Sequence, residues 1–167
     1  MKTIVLYYSR SKKTKTVAET LAVELNADIV EIKDVTPRLG ILNYAKASID
    51  ALRENKTDIY FKNNEDLNLS EYDLIYLGSP TWAGNPAPAI ITFIDQMELQ
   101  GKDIIPFVTM TSYSTSALKR MDEKLLARGA RPIFFFGIQT GGKNLIEIQQ
   151  KTQDLIKESD LNIYSNK

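Results

Sequence analysis

Short apolar segments alternate with amphipathic ones along the chain, and this alternation predicts the fold. Residues 3–8 are continuously apolar and rich in β-branched and aromatic side chains, which is typical of a strand buried on both faces of a parallel sheet. After a polar loop, apolar residues recur at helical spacing, at Val17, Ala18, Leu21, Ala22 and Leu25. The chain therefore begins with a predicted strand, a loop and a helix that covers the sheet.

The same unit repeats through the rest of the chain. Further strands are predicted at residues 27–32, 72–78, 104–110 and 131–138. Helical periodicity follows the last three strands, at residues 88–97, at residues 116–128 and after Asn144. Asn144 is expected to cap the last helix, and Gly129 is expected to end the helix before it. Alternating strands and helices predict an α/β fold with a doubly wound, five-stranded parallel sheet and helices on both faces.

The connection between the second and third predicted strands is longer than one crossover needs. Within residues 37–55, helical spacing is shown by Leu42, Ala45, Ile49 and Leu52. Residues 56–70 are polar, which predicts a surface loop with room for one short edge strand. We therefore expect residues 1–167 to form a single domain with a helical and loop insertion at about residues 37–70.

Two residue types are absent, and their absence restricts the chemistry. Without cysteine, the chain can form no disulfide, thiol nucleophile or cysteine-ligated iron–sulfur cluster. Without histidine, it lacks the usual general base near neutral pH, the Ser–His–Asp triad and histidine-based metal sites. We predict no catalytic side chain and no metal site, and any redox chemistry must come from a bound cofactor.

Charge and hydropathy limit the expected partners. The 21 basic and 21 acidic residues balance, which gives no broad attraction to nucleic acid or to an anionic membrane. The apolar run near Met1 is shorter than the core of a signal peptide, and no stretch approaches the roughly 20 apolar residues that span a bilayer. These features predict a cytoplasmic protein without membrane insertion, and they leave its oligomeric state open.

Candidate chemistry lies in the loops at the carboxyl ends of the strands, where such sheets bind ligands. The first loop, residues 9–16, is rich in hydroxyls and directly precedes a helix. Hydroxyl groups, free backbone N–H groups and the positive end of the helix would together form a phosphate cradle. The alternative interpretation is that Ser11 or Thr14 merely caps the helix.

Two further loops are predicted to meet the first one. Residues 78–86 contain the only tryptophan, Trp82, whose indole suits stacking on a flat ring or, alternatively, packing as a large apolar plug. Residues 111–116 offer hydroxyls and a second aromatic side chain. They are equally compatible with a solvated turn that ends in an N-cap at Ser114 or Ser116.

Taken together, these segments resemble the loops of flavodoxins. Residues 8–14 and 17–19 resemble the phosphate signature after the first strand, and residues 78–88 resemble the first flavin-contacting loop. Residues 40–53 resemble a helical insertion found after the second strand in a subgroup of flavodoxin-related proteins. The resemblance covers nearly the whole chain, and it implies a flavodoxin-like sheet with the strand order 2-1-3-4-5.

The resemblance also implies a bound FMN and the residues that hold it. Contacts to the phosphate are expected from Ser9, Ser11, Lys13 and Thr14, with main-chain donors from Arg10 and Lys12. The isoalloxazine is expected to be lined by Pro80, Thr81, Trp82, Ala83 and Gly84, and closed on its other side by Ser112 and Tyr113. Lys12 and Lys13 replace the family's usual glycine and asparagine, and Tyr113 stands where glycines are common.

Three functions are compatible with these residues. The resemblance favours an electron carrier that passes electrons through the flavin to and from redox partner proteins or small electron acceptors. An FMN-dependent NAD(P)H quinone or nitro reductase is an alternative, and residues 37–70 could help to build its second substrate site. A cofactor-free interaction module is the third.

Two other nucleotide- or phosphate-related classes are excluded. A P-loop protein is excluded because residues 9–16 contain no glycine. A phosphoacceptor receiver domain is excluded because it would need carboxylates at the positions of Ser9 and Ser79.

Overall fold

A central sheet organises the structure, a computed structural model that describes residues 1–35, 57–63 and 67–161. Its strands are β1 (Thr3–Tyr7), β2 (Asp28–Asp34), β3 (Ile59–Phe61), β4 (Leu74–Trp82), β5 (Asn85–Pro86), β6 (Asp103–Met110), β7 (Arg131–Pro132) and β8 (Phe136–Gln139). The helices of the described residues are α1 (Lys13–Glu24), α2 (Pro88–Gln96), α3 (Ser116–Ala127) and α4 (Leu145–Glu158), with a 3-10 turn at Leu69–Glu71.

The sheet has the predicted topology. Its strands follow the order β3-β2-β1-β4-β6-β7, and β8 pairs with β6 beyond β7. The pairings β1–β2, β1–β4, β4–β6, β6–β7 and β6–β8 are all parallel. The five predicted strands correspond to β1, β2, β4, β6 and the β7–β8 pair, so that the predicted order 2-1-3-4-5 is confirmed. The fifth strand is divided between Pro132 and Phe136. Pro132 itself does not interrupt the pairing, because the N–H groups on either side of it, those of Arg131 and Ile133, donate to the carbonyl oxygens of Lys102 and Ile104 on the β6 side.

Helices cover both faces of the sheet, as predicted. Successive residues of β1 point to opposite faces. Val5 belongs to the core cluster that includes Leu21 of α1 and Ile148 of α4. Leu6 belongs to the cluster on the other face, which includes Phe93 of α2. The parallel strands are therefore buried from both sides, and their carboxyl ends open onto one edge of the sheet.

Local helix signals were predicted correctly. Asn144 Oδ1 accepts a hydrogen bond from the N–H of Glu147 at 2.9 Å, and Glu147 Oε2 accepts one from the N–H of Asn144 at 2.8 Å. This reciprocal capping box fixes the start of α4. Gly129 follows the end of α3 with a φ of 71°, which is the left-handed conformation that favours glycine.

Part of the predicted insertion is visible as an edge strand. β3 pairs antiparallel with β2, and the buried carboxylate of Glu31 binds Lys33 Nζ at 2.6 Å and Lys62 Nζ at 3.9 Å. Of these pairs only the one with Lys62 joins the two strands, and the N–H of Lys62 also donates to the Glu31 carbonyl oxygen at 2.9 Å. The helix predicted within residues 37–55 lies outside the described residues. Within the described part of the chain, no helix is long and apolar enough to cross a membrane.

Candidate functional site

The first loop leads from β1 into a helix whose first turn is open. α1 begins after Lys12, which has a φ of 65° and gives no side-chain cap. A left-handed lysine is strained, and glycine, which the resemblance implies for this loop, would adopt this conformation without strain. Because Lys12 is the N-cap residue, neither Ser11 nor Thr14 caps the helix. Ser9 Oγ accepts from the N–H of Lys15 at 3.2 Å. No described residue accepts from the N–H groups of Lys13 and Thr14, which leaves two donors for an anion.

Two predicted phosphate residues reach across the edge of the sheet. Thr14 is only 2% exposed, and its hydroxyl shares a 2.7 Å hydrogen bond with that of Thr109 on β6. Lys13 Nζ donates to the carbonyl oxygen of Thr140 at 3.1 Å, which leaves further ammonium donors available. Thr14 therefore anchors the helix to the sheet, whereas Lys13 holds a positive charge above the edge. Ser11 and Lys12 are exposed on the loop.

The second segment is a strand extension and a tight turn rather than the predicted loop. β4 continues to Trp82 because its pairing with β6 runs on to Pro80 and the chain then folds back as β5. Ala83 and Gly84 form the two-residue turn, with φ values of 47° and 79°. Two successive positive φ values are typical of a type I′ hairpin, whose twist matches that of the strands.

The turn rests on the start of α3. A Cβ atom on Gly84 would lie 3.0 Å from Ser116 Oγ. The second and third predicted loops therefore meet, as expected. The hydroxyl of Thr81, next to the turn, is buried, and no described residue is its hydrogen-bond partner. A buried hydroxyl without a partner is costly, and a polar atom of a ligand would satisfy it.

Trp82 lies at the edge of the sheet, but its indole is covered. The side chain is 4% exposed and belongs to the core cluster beneath α2 and α3. Tyr8 meets it edge-on with ring centroids 5.6 Å apart, and the guanidinium of Arg10 lies 5.5 Å from the ring centroid. In this structure the Trp82 indole therefore packs as a core side chain, with the Arg10 guanidinium over its ring. A flavin that stacked on this face of the indole would displace the guanidinium.

The third loop is exposed and held from below. The N–H of Ser114 donates to Met110 Sδ at 3.2 Å, and the hydroxyls of Ser114 and Ser116 are 2.9 Å apart. Thr115 is the N-cap residue of α3 and makes no side-chain cap, whereas Ser114 Oγ, one residue earlier, accepts a hydrogen bond from the N–H of Ser116 at 3.4 Å. Ser112 is exposed, and Tyr113 is 78% exposed. The tyrosine ring therefore leaves the edge of the sheet open.

A fourth loop, residues 140–143, completes the edge, and sequence reasoning missed it. The N–H of Thr140 donates to the carbonyl oxygen of Met110 at 2.8 Å, and the Thr140 carbonyl accepts from Lys13. A Cβ atom on Gly141 would lie 2.2 Å from the carbonyl oxygen of Thr111. The fourth loop thus ties the first loop to the third. Its signal in the sequence is the glycine pair between the last strand and the Asn144 cap.

We expect Gly141→Ala to destabilise the protein by about 2 kcal/mol or more, because the added methyl group would overlap the Thr111 carbonyl. Gly142→Ala is the matched control. Gly142 has a φ of 69°, and a Cβ atom added there would meet nothing within 4 Å, so only the backbone strain of about 1 kcal/mol is expected. Urea unfolding measures both. Equal losses for the two variants would contradict the close approach of the loops.

The site is electrostatically suited to an anion. Arg10 and Lys13 place positive charge beside the open turn of α1. Burial raises the pKa of Tyr7 well above its usual range, and the carboxylates of Glu31 and Glu19 raise it further. The phenol below the first loop is therefore neutral. No group of three or more acidic side chains in the described residues is arranged to hold a metal ion.

The geometry fits a ligand with a phosphate group and a flat ring. Open N–H groups and Lys13 suit the phosphate, while the unpartnered Thr81 hydroxyl and the nearby aromatic residues suit the ring. A family model described as flavodoxin matches residues 2–152. The chain belongs to the flavodoxin family. The predicted family and fold are thereby confirmed, and no protein of curated function matches the sequence.

Solved structures of flavoproteins resemble this flavodoxin. The flavoprotein of Lactobacillus acidophilus NCFM in complex with FMN is 29% identical, over 81% of this chain and 92% of that one, with a TM-score of 0.69. Its apo form is 27% identical, over 83% and 93%, with a TM-score of 0.61. A candidate flavoprotein of Bacteroides uniformis ATCC 8492 is 26% identical, over 91% and 97%, with a TM-score of 0.72.

Proposed function

We propose that this flavodoxin binds one FMN at the carboxyl edge of its sheet and acts as an electron-transfer protein. The observation that carries the proposal is the open first turn of α1, flanked by the Ser9 hydroxyl and the Lys13 ammonium. Membership of the flavodoxin family and the FMN complex of the Lactobacillus acidophilus relative support the choice of cofactor. When bound, FMN would supply the one- and two-electron chemistry that the side chains lack.

The phosphate cradle alone is too weak to hold the cofactor. An anion at a helix terminus gains about 0.3–2 kcal/mol from the dipole, and each hydrogen bond to a charged group adds about 1.5–3 kcal/mol. Nanomolar binding needs about 12 kcal/mol. Contacts to the ring must therefore provide much of the affinity, and we assign them to residues 80–84 at the end of β4 and to Ser112 and Tyr113 on the third loop.

Fluorescence tests this arrangement directly, because Trp82 is the only tryptophan. Added FMN is expected to quench its emission and to displace Arg10 from the indole. Lys13→Gln should lower the affinity for FMN by about tenfold and leave riboflavin binding unchanged, since only FMN carries the phosphate. Lys15→Gln, which removes a lysine that pairs with Glu19, is the control. Equal affinities for FMN and riboflavin in the unmodified protein would overturn the phosphate cradle.

Stepwise reduction of the FMN complex separates a carrier from a reductase. A carrier should accept electrons from dithionite in separable one-electron steps, remain oxidised with NADPH alone, and exchange electrons with redox partner proteins or small acceptors. Rapid reduction by NADPH would instead identify an FMN-dependent reductase. A purified protein that takes up no FMN would overturn both and favour an interaction module.

A further inference from the structure

A separate cavity of about 310 Å³ lies between α3 and the divided edge strand. It is lined by Thr115, Leu118, Lys119, Asp122 and Phe135. Thr115 belongs to the third loop, so the cavity borders the candidate flavin site, but none of the residues assigned to FMN lines it. Its volume is near the lower end of the range for small-molecule sites, about 300–1,000 Å³.

The break between β7 and β8 creates the apolar wall of this cavity. Alternate residues of the edge point to opposite faces, and Phe134 and Phe136 pack into the core beneath α1 and α4. Phe135 therefore points toward α3 and is 59% exposed. Covering this ring would be favourable, because it would remove apolar surface from water.

The two charged residues of the cavity lining differ in their partners. Lys119 Nζ lies 3.9 Å from Glu123 Oε1, so that the one basic residue of the lining already has an acidic partner. Asp122 is half-buried, and its carboxylate makes no hydrogen bond or ion pair with any residue in the described part of the chain. An unpaired carboxylate beside an exposed aromatic face is complementary to a cation, because both attract positive charge.

We propose that this cavity binds a small organic cation, with its ammonium or amidinium group between the Asp122 carboxylate and the Phe135 ring. The apolar body of the ligand would pack on Leu118 and on the aliphatic part of Lys119. The volume limits that body to about one ring. This site is independent of the proposed flavin function, since its lining residues take no part in holding FMN.

The test is an NMR titration of the full chain with benzylammonium, and with benzyl alcohol as a neutral probe of similar shape. Benzylammonium is expected to bind more tightly and to shift the resonances of Lys119 and Phe135. Asp122→Asn should weaken it about five- to tenfold, and Phe135→Leu should weaken it while keeping the cavity apolar. Asp154→Asn, which removes an exposed carboxylate on α4, should change nothing.

Three results would overturn the proposal. Equal binding of the charged and neutral probes would remove the role of Asp122. Unchanged affinity in both Asp122→Asn and Phe135→Leu would place the probe elsewhere. Absence of binding by the free cation would favour a protein partner for this surface. If the protein failed to bind FMN but still bound benzylammonium as expected, the proposed flavin function would be contradicted and the cation site would stand.

Discussion

Gly78→Ala is expected to destabilise the protein by about 3 kcal/mol, which is large for the addition of one methyl group to a packed core. A Cβ atom at this position of β4 would lie 2.2 Å from Cζ of Phe107 and within 2.8 Å of two more atoms of the ring. The ring has little room to retreat, because Phe107 is fully buried and stacks on Phe136 with centroids 5.3 Å apart. A lower urea midpoint at unchanged m-value would measure the loss.

A double-mutant cycle makes this expectation specific to the ring. Phe107→Leu is destabilising by itself, since it leaves space in the core, but that space can accept the methyl group of Gly78→Ala. The double variant should therefore be more stable than the sum of the two single effects predicts, by at least about 1 kcal/mol. Simple additivity would show that the ring and the glycine are not coupled.

Trp82→Ala is expected to have the second large effect, because it removes both a core side chain and a ring from the candidate flavin site. Its indole is almost fully buried, so truncation should cost about 3–5 kcal/mol of stability. FMN affinity should fall markedly as well, because ring contacts supply much of the binding energy. Thermal unfolding with and without FMN measures the first effect, and flavin absorbance during a titration measures the second.

Two aromatic variants separate stability from cofactor binding. Trp82→Phe keeps a ring in the core and should recover most of the stability, but only part of the FMN affinity, because the smaller ring covers less of the flavin. Tyr113→Ala should leave stability within about 0.5 kcal/mol, since the side chain is largely exposed. FMN affinity unchanged in a folded Trp82→Ala protein would exclude Trp82 from the flavin site.

The carboxyl edge exposes Tyr113 and Ser112 on the third loop, and the cavity beside α3 begins at Thr115. A ligand in that cavity would therefore lie beside the loop that we assign to the flavin. The two proposals are tested separately, because FMN titration and benzylammonium titration report on different residues.

The amino-acid sequence by itself determined the elements and their order. Apolar runs and helical spacing depend on neighbours a few residues apart, so they predicted the strands, the capped start of α4 and the end of α3 at Gly129. The alternation of strands and helices then restricted the topology to a doubly wound sheet. The hydroxyl-rich first loop was likewise recognisable as a candidate site, because it follows β1 directly and leads into α1.

Only the tertiary structure decided which groups meet at the edge. Thr14 is held by Thr109, and Lys13 by Thr140, across 95 and 127 residues of chain, respectively. β4 extends to Trp82 because β6 and β5 supply hydrogen bonds there, not because of its own propensity. The covering of Trp82 by Arg10, the position of the fourth loop and the cavity beside α3 have the same cause. Long-range packing sets contacts that local periodicity does not encode.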